Sequence, residues 1–169
     1  RTKSNAERLA NALGVTFMEI DISDSVKSHF KDIGQSLDDF SVTYENGQAR
    51  ERTQVLMDIA NMKKGFVVGT GDLSELALGW ATFNGDHMSM YGVNSSIPKT
   101  LMRFLVGYYG SISEPEVDSI LKDILSTPVS PELLPAKDGV ISQITEDIVG
   151  PYELHDFFLY YMVRYGFSP

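Results

Sequence analysis

An α/β fold built on a parallel sheet is the architecture this sequence predicts. Stretches with helical spacing of apolar residues alternate with short apolar runs, the pattern of a parallel sheet flanked by helices. One such run, Phe66-Val67-Val68, passes directly into Gly69-Thr70-Gly71-Asp72, as a buried parallel strand does when it delivers a turn. The chain has 169 residues, 43% of them hydrophobic, enough for one domain with a real core, and no repeat or low-complexity stretch divides it.

Ser4 and Glu7 form a capping box ahead of Ala6, Leu9, Ala10 and Leu13, and Gly14 supplies the stop of a first helix. Val15 to Ile22 reads as a mostly buried strand. Val26, Phe30 and Ile33 mark one face of the next helix, with Ser23 or Asp24 as its cap. After a polar link through Ser41 and Tyr44, a helix from about Gln48 to Lys64 carries Val55, Leu56, Ile59 and Ala60 on one side. Pro98 suits the first turn of a helix with Leu101, Phe104, Leu105 and Tyr108. Ser113 and Glu116 cap another, whose buried stripe is Val117, Ile120, Leu121, Ile124 and Leu125. From Ser126 to Gly150 the prolines, glycines and polar residues leave little room for regular structure. A last helix runs from about Tyr152 to Tyr165, either buried or serving as an apolar contact surface.

Composition narrows the partners. Fourteen basic against 23 acidic residues give a net charge of −9, which opposes nucleic acid and anionic membrane as partners. Cysteine is absent, removing disulfides, thiolate metal sites and thiol nucleophiles together. The most apolar stretch, Phe157 to Val163, is far shorter than the ~20 residues of a membrane helix, and the N-terminus has no signal-peptide pattern. A cytoplasmic location is expected. His29, His87 and His155 have no partners at metal-ligand spacing, so no zinc site is expected.

Gly69-Thr70-Gly71-Asp72-Leu73-Ser74 nearly matches a dinucleotide-binding fingerprint, but Ser74 stands where the third small residue belongs. Asp72 and Glu75 alternatively form a capping box, and capping and ligand binding can coexist. A longer series is more specific. Glu45-Asn46-Gly47-Gln48-Ala49-Arg50 precedes the glycine turn, and Gly79-Trp80-Ala81-Thr82-Phe83-Asn84-Gly85-Asp86-His87-Met88-Ser89-Met90-Tyr91 follows it. Pro98-Lys99-Thr100, Thr127-Pro128-Val129-Ser130-Pro131-Glu132-Leu133 and Asp147-Ile148-Val149-Gly150-Pro151-Tyr152-Glu153-Leu154-His155-Asp156-Phe157 extend the series across nearly the whole chain. In these segments the sequence resembles the glutamine-dependent NAD⁺ synthetases.

That resemblance implies a Rossmann-like adenine nucleotide alpha-hydrolase fold, truncated at the N-terminus, with residues 1–169 as one synthetase (ATP pyrophosphatase-type) domain fragment. The implied reaction is ATP-dependent amidation of deamido-NAD, nicotinic acid adenine dinucleotide, through an adenylated carboxylate. Activation must come first, because a carboxylate is a poor acyl donor until its oxygen joins a good leaving group. ATP and Mg²⁺ are the implied cofactors, and a glutaminase domain of the parent protein the implied source of ammonia. Homo-oligomers are implied as well.

Position by position, Thr70, Lys99 and Ser130 resemble ATP contacts, Asn46, Arg50, Trp80, Ala81, Thr82 and Phe83 resemble deamido-NAD contacts, and Glu75 resembles a residue that binds either the dinucleotide or a metal. Taken alone, Lys99 and Arg50 read as solvated helix charges, Trp80 as core, and Ser130 as turn chemistry. The family's Ser-Gly-Gly-x-Asp-Ser loop, its glutaminase domain and its basic tail are not found in these residues. The fragment is therefore expected to need the rest of its parent for catalysis. Two other readings are a non-catalytic structural or oligomerisation fragment, and a Rossmann oxidoreductase using Gly69 to Ser74.

Overall fold

A computed structural model describes residues 2–85, 87–129 and 145–168. Helix α1, Thr2–Ala12, ends where Gly14 enters the left-handed region at φ 66° and the Val15 amide reaches back to the Ala10 carbonyl. Ser4 already lies inside this helix, so the capping box expected there does not form its start. Helix α2, Ser23–Ile33, is entered through Asp21, whose side chain accepts the Ser23 amide at 2.8 Å. Neither Ser23 nor Asp24 is its cap. Val26 and Phe30 are buried as the spacing predicts, while Ile33 is exposed.

Helix α3, Val42–Lys63, begins six residues earlier than the charge pattern suggested. Tyr44 packs against both Phe30 and Phe40, with ring centroids 5.5 and 5.2 Å apart, and this contact draws the supposed link into the helix. Of the expected stripe only Ala60 is buried, and Leu56 is exposed. Helix α3 also has no room for a side chain at Gly47. A Cβ there would lie 2.4 Å from the fully buried Phe30 ring.

Strand β1, Val68–Gly69, pairs in parallel with β2, Tyr91–Gly92, a strand the sequence reading did not anticipate. The crossover between them carries helix α4, Leu73–Leu78. Phe66 and Val68 are exposed, so this strand is parallel but not buried as expected. Val15 to Ile22 does not form a strand, because no ladder partner lies beside it among the described residues. Met18, Ile20 and Ile22 instead face Arg52, Val55, Leu56 and Ile59 across an apolar cleft of about 350 Å³.

The remaining helices are α5, Lys99–Ser111, α6, Pro115–Leu125, and α7, Thr145–Val149. They are followed by α8, Tyr152–Leu159, which continues as a π-helical turn over Tyr160–Arg164. Helix α6 packs on α1 and α5, and α8 packs on α4 and α5. Val117, Ile120 and Leu121 of α6 are buried as expected, but its N-cap is Glu114 with Pro115 at the first helical position, not Ser113. Leu101, Phe104, Leu105 and Tyr108 of α5 are exposed. Helix α7 falls within the stretch expected to be irregular. The final helix is not simply buried: Phe157, Phe158, Tyr160, Met162, Val163 and Tyr165 all face outward.

Substituting Gly47→Ala should cost about 1–3 kcal/mol of stability, since the fully buried Phe30 ring would have to shift to admit the methyl group. Urea denaturation of the two proteins measures the difference, and an unchanged midpoint would show that α2 and α3 can separate to admit a methyl group.

Candidate functional site

The turn after β1 is held in place by its own residues. A Cβ on Gly69 would lie 2.3 Å from the Ser89 hydroxyl, so glycine lets the strand end approach the Ser89 side chain this closely. Asp72 then starts α4. Its Oδ1 accepts the Glu75 amide at 3.0 Å while the Asp72 amide donates to Glu75 Oε2 at 3.4 Å, completing the capping box anticipated from sequence. The Leu73 amide donates to the Ile97 carbonyl at 3.0 Å, which ties this turn to the approach of α5.

The second oxygen of Asp72 serves a different purpose. Lys99, first residue of α5, places its Nζ 2.7 Å from Asp72 Oδ2 and 2.5 Å from Glu75 Oε1. Only 2% of the Asp72 side chain and 16% of the Lys99 side chain meet solvent. The ammonium also sits 5.3 Å from the centroid of the Tyr152 ring, within cation–π range. Burial pulls the Lys99 pKa down, but hydrogen bonds and charge attraction from Asp72 and Glu75 outweigh it, and the net shift is upward from 10.5. Tyr152 is pushed up in turn, chiefly by burial, with the Lys99 charge opposing.

Beside Lys99 lies a cavity of about 190 Å³ lined by Thr100, Arg103, Thr127, Glu146, Tyr152 and neighbouring residues. The Tyr152 hydroxyl lies buried without a hydrogen-bond partner among the described residues. The Tyr152 amide is fixed by Glu146 Oε1 at 3.0 Å.

Below the ion pair runs a second polar group of contacts. Asp156 of α8, 6% exposed, accepts a hydrogen bond from the Ser74 hydroxyl on α4. Its other oxygen accepts from the Thr100 amide at 2.8 Å and the Thr100 hydroxyl at 2.7 Å. The Ser74 oxygen in turn accepts the Lys99 amide at 2.8 Å. Sequence reasoning singled out neither Ser74, Thr100 nor Asp156 as a site residue, although all three lie in segments that carry the family resemblance.

The residues expected to contact a dinucleotide fall partly together. Asn46 Oδ1 on α3 accepts from the Thr82 hydroxyl at 2.9 Å, a contact between segments 36 residues apart. The Thr82 carbonyl accepts from His87 Nδ1 at 2.7 Å, so that nitrogen carries the proton. Phe83 projects outward with 77% exposure, its ring centroid 6.4 Å from that of His87. Trp80 is half-buried, its amide bonded to the Glu75 carbonyl at 3.0 Å, and Ala81 is exposed beside it. Arg50 is exposed one turn beyond Asn46, and Thr70 is exposed on the strand-end turn. Ser130 lies outside the described residues. Among the described residues no group of three or more acidic or imidazole side chains gathers to hold a metal, and Glu75 already engages Lys99 and the Asp72 amide.

A family model described as NAD synthase matches residues 1–165. The glutamine-dependent NAD(+) synthetase of Mycobacterium leprae is 47% identical over 176 residues, covering 100% of this chain and 26% of that protein. The Aquifex aeolicus protein of the same description is 30% identical, covering 98% of this chain and 28% of its own length. Among solved structures, a glutamine-dependent NAD⁺ synthetase from Acinetobacter baumannii in complex with ADP is similar at TM-score 0.67 and 28% identity, over 99% of this chain and 28% of that one. An NMN synthetase from Francisella tularensis is similar at TM-score 0.76 and 25% identity, over 93% of this chain and 59% of that one. The chain thus spans about a quarter of the length of the curated relatives it matches.

Because the folded pKa of Lys99 is raised, the stability its charge contributes is complete below 10.5 and is lost as pH rises through the higher folded value. Lys99→Met should therefore cost about 3 kcal/mol near neutral pH, through the two uncompensated carboxylates, and the gap to the parent protein should narrow at alkaline pH. Urea denaturation of both proteins across that range is the check. A gap that stays constant with pH would mean that the ion pair contributes nothing to stability.

Proposed function

The chain belongs to the NAD synthase family, and on that premise we propose that it forms part of a synthetase domain that amidates deamido-NAD to NAD⁺. In this reading the nicotinate carboxylate attacks the α-phosphorus of ATP, pyrophosphate leaves, and ammonia then attacks the acyl carbon to expel AMP. Each half of the reaction asks something different of the protein.

Polyphosphate departure calls for positive charge held where negative charge develops. The observation that carries the proposal is Lys99, its ammonium 2.7 and 2.5 Å from Asp72 and Glu75 at the strand-end turn and beside the cavity near Arg103 and Tyr152. A lysine suits this work because its charge is compact and its stem mobile, so it can pass from carboxylate to phosphate without changing protonation. Tyr152, whose ring lies under the ammonium, lines the same cavity. Arg103, Glu146 and Glu153 share that lining and Lys99 is already paired with Asp72 and Glu75, so the phosphate charge has to be met in part by groups beyond it. Thr70, at the turn, and Ser130 are the other ATP contacts of this reading.

Asn46 and Thr82 support the dinucleotide half. Their mutual hydrogen bond fixes a polar edge beside the exposed Phe83 face, where a pyridine ring could stack, with Trp80, Ala81, Arg50 and Glu75 as the further contacts. Mg²⁺ supplies Lewis-acid charge neutralisation in phosphoryl chemistry. The described residues do not fit it by themselves, since Asp72 and Glu75 make only two carboxylates and an ammonium already lies between them. A magnesium at Glu75 therefore belongs to this proposal only with oxygen donors from elsewhere. Ammonia delivered by a glutaminase domain, a homo-oligomeric assembly, a cytoplasmic location and residues 1–169 forming a single domain complete the reading. No described helix is long and apolar enough to cross a membrane.

The likeness to the NMN synthetase at TM-score 0.76 favours one second reading, amidation of the mononucleotide acid. Calorimetric titration with nicotinic acid adenine dinucleotide, nicotinic acid mononucleotide and NAD⁺, each with and without Mg-ATP, separates the two. Preference for the dinucleotide acid supports the proposal and preference for the mononucleotide acid supports the alternative. Full-length protein that binds neither, and forms no amide from either with ATP and ammonia, would overturn both.

A further inference from the structure

We propose that Asp156 is a positioning residue for Lys99, fixing the backbone from which the lysine reaches the phosphates of ATP; this rests on the ATP role proposed for Lys99. Helices α4, α5 and α8 meet at this carboxylate. Asp156 takes the hydroxyl of Ser74 with one oxygen and both the amide and hydroxyl of Thr100 with the other, and Ser74 passes the constraint on to the Lys99 amide. At 6% exposure Asp156 has little contact with water. A buried carboxylate without donors would be costly, and this one is held by the hydroxyls of Ser74 and Thr100 and by the Thr100 amide in the first turn of α5, where the helix dipole favours negative charge.

The result is a lysine restrained at both ends. Its main chain is held through Ser74 and Thr100, and its ammonium by Asp72 and Glu75. A free lysine stem samples many rotamers, and each one lost before the phosphates arrive lowers the entropic cost of binding them. Asp72 and Glu75 compete with phosphate for the ammonium, whereas Asp156 hydrogen-bonds, among the described residues, to the groups that orient it. Asp156 can therefore hold the lysine's origin constant while the ammonium moves between carboxylate and phosphate.

A double-mutant cycle in the full-length protein tests this, following ATP-dependent amide formation with ammonia at raised enzyme concentration. Asp156→Asn should raise KM for ATP about tenfold or more, the range for losing hydrogen bonds to a charged group, and leave KM for the dinucleotide acid within about twofold. In a Lys99→Ala background the same change should have almost no further effect, because nothing remains to position. An equal loss in both backgrounds would show a purely structural role and overturn the proposal, as would no loss in either. Should Lys99→Ala itself leave ATP kinetics unchanged, the ATP role of Lys99 fails and the proposal falls with it; a costly Lys99→Ala without coupling sinks the positioning role alone. If Asp156→Asn does not fold, Thr100→Val removes one donor while keeping the shape, and the same dependence on Lys99 is expected at smaller size.

Discussion

A lysine ammonium enclosed by two carboxylates, where little water reaches, is the interaction on which the rest of the site depends. Charge of this kind is tolerated only when partners are in place, and placing them determines how three helices meet. Asp72 has to start α4, so that one oxygen caps the helix while the other faces Lys99. Glu75 has to follow one turn later. Helix α5 has to begin at Lys99, and α8 has to bring Tyr152 beneath the ammonium. The glycine at position 69 and the bond from Leu73 to Ile97 hold the strand-end turn to which these helices attach.

Outside this centre the packing is uneven. Phe30, Val117, Ile120 and Leu121 lie in a conventional interior, yet the outer face of α3, the extended stretch from Val15 to Ile20 and the aromatic end of α8 turn large apolar groups to the surface. The π-helical turn at Tyr160–Arg164 gathers Tyr160, Tyr161 and Tyr165 against one another and against Phe157 and Phe167, with ring centroids 4.7 to 5.4 Å apart in the nearest pairs.

What could be read from sequence was what is local. The Asp72–Glu75 box needs two residues three apart on a helix start, and it was legible. The stripe of α6 was legible because period and burial agree there. Val15 to Ile22 misled because an apolar run records a wish for burial and says nothing of the neighbour whose amides would complete a ladder. Strand β2 was missed because two residues carry no period. Family resemblance drew attention to Lys99, Asn46 and Thr82, but not to why Lys99 points where it does. The contact between Ser74 and Asp156 spans 82 residues, and that between Thr100 and Asp156 spans 56. No spacing rule reaches so far.

The single tryptophan gives the chain an optical property of its own. Trp80 follows the turn that closes α4, its amide bonded to the Glu75 carbonyl and its side chain half-buried. Excitation at the red edge of protein absorbance selects this indole and leaves the tyrosines dark. The emission colour and quenching of the whole chain therefore come from one point, two residues from Thr82 and five from Glu75, one of the carboxylates that hold Lys99. Light emitted by this protein is a report on that corner alone, with no second indole to average it away.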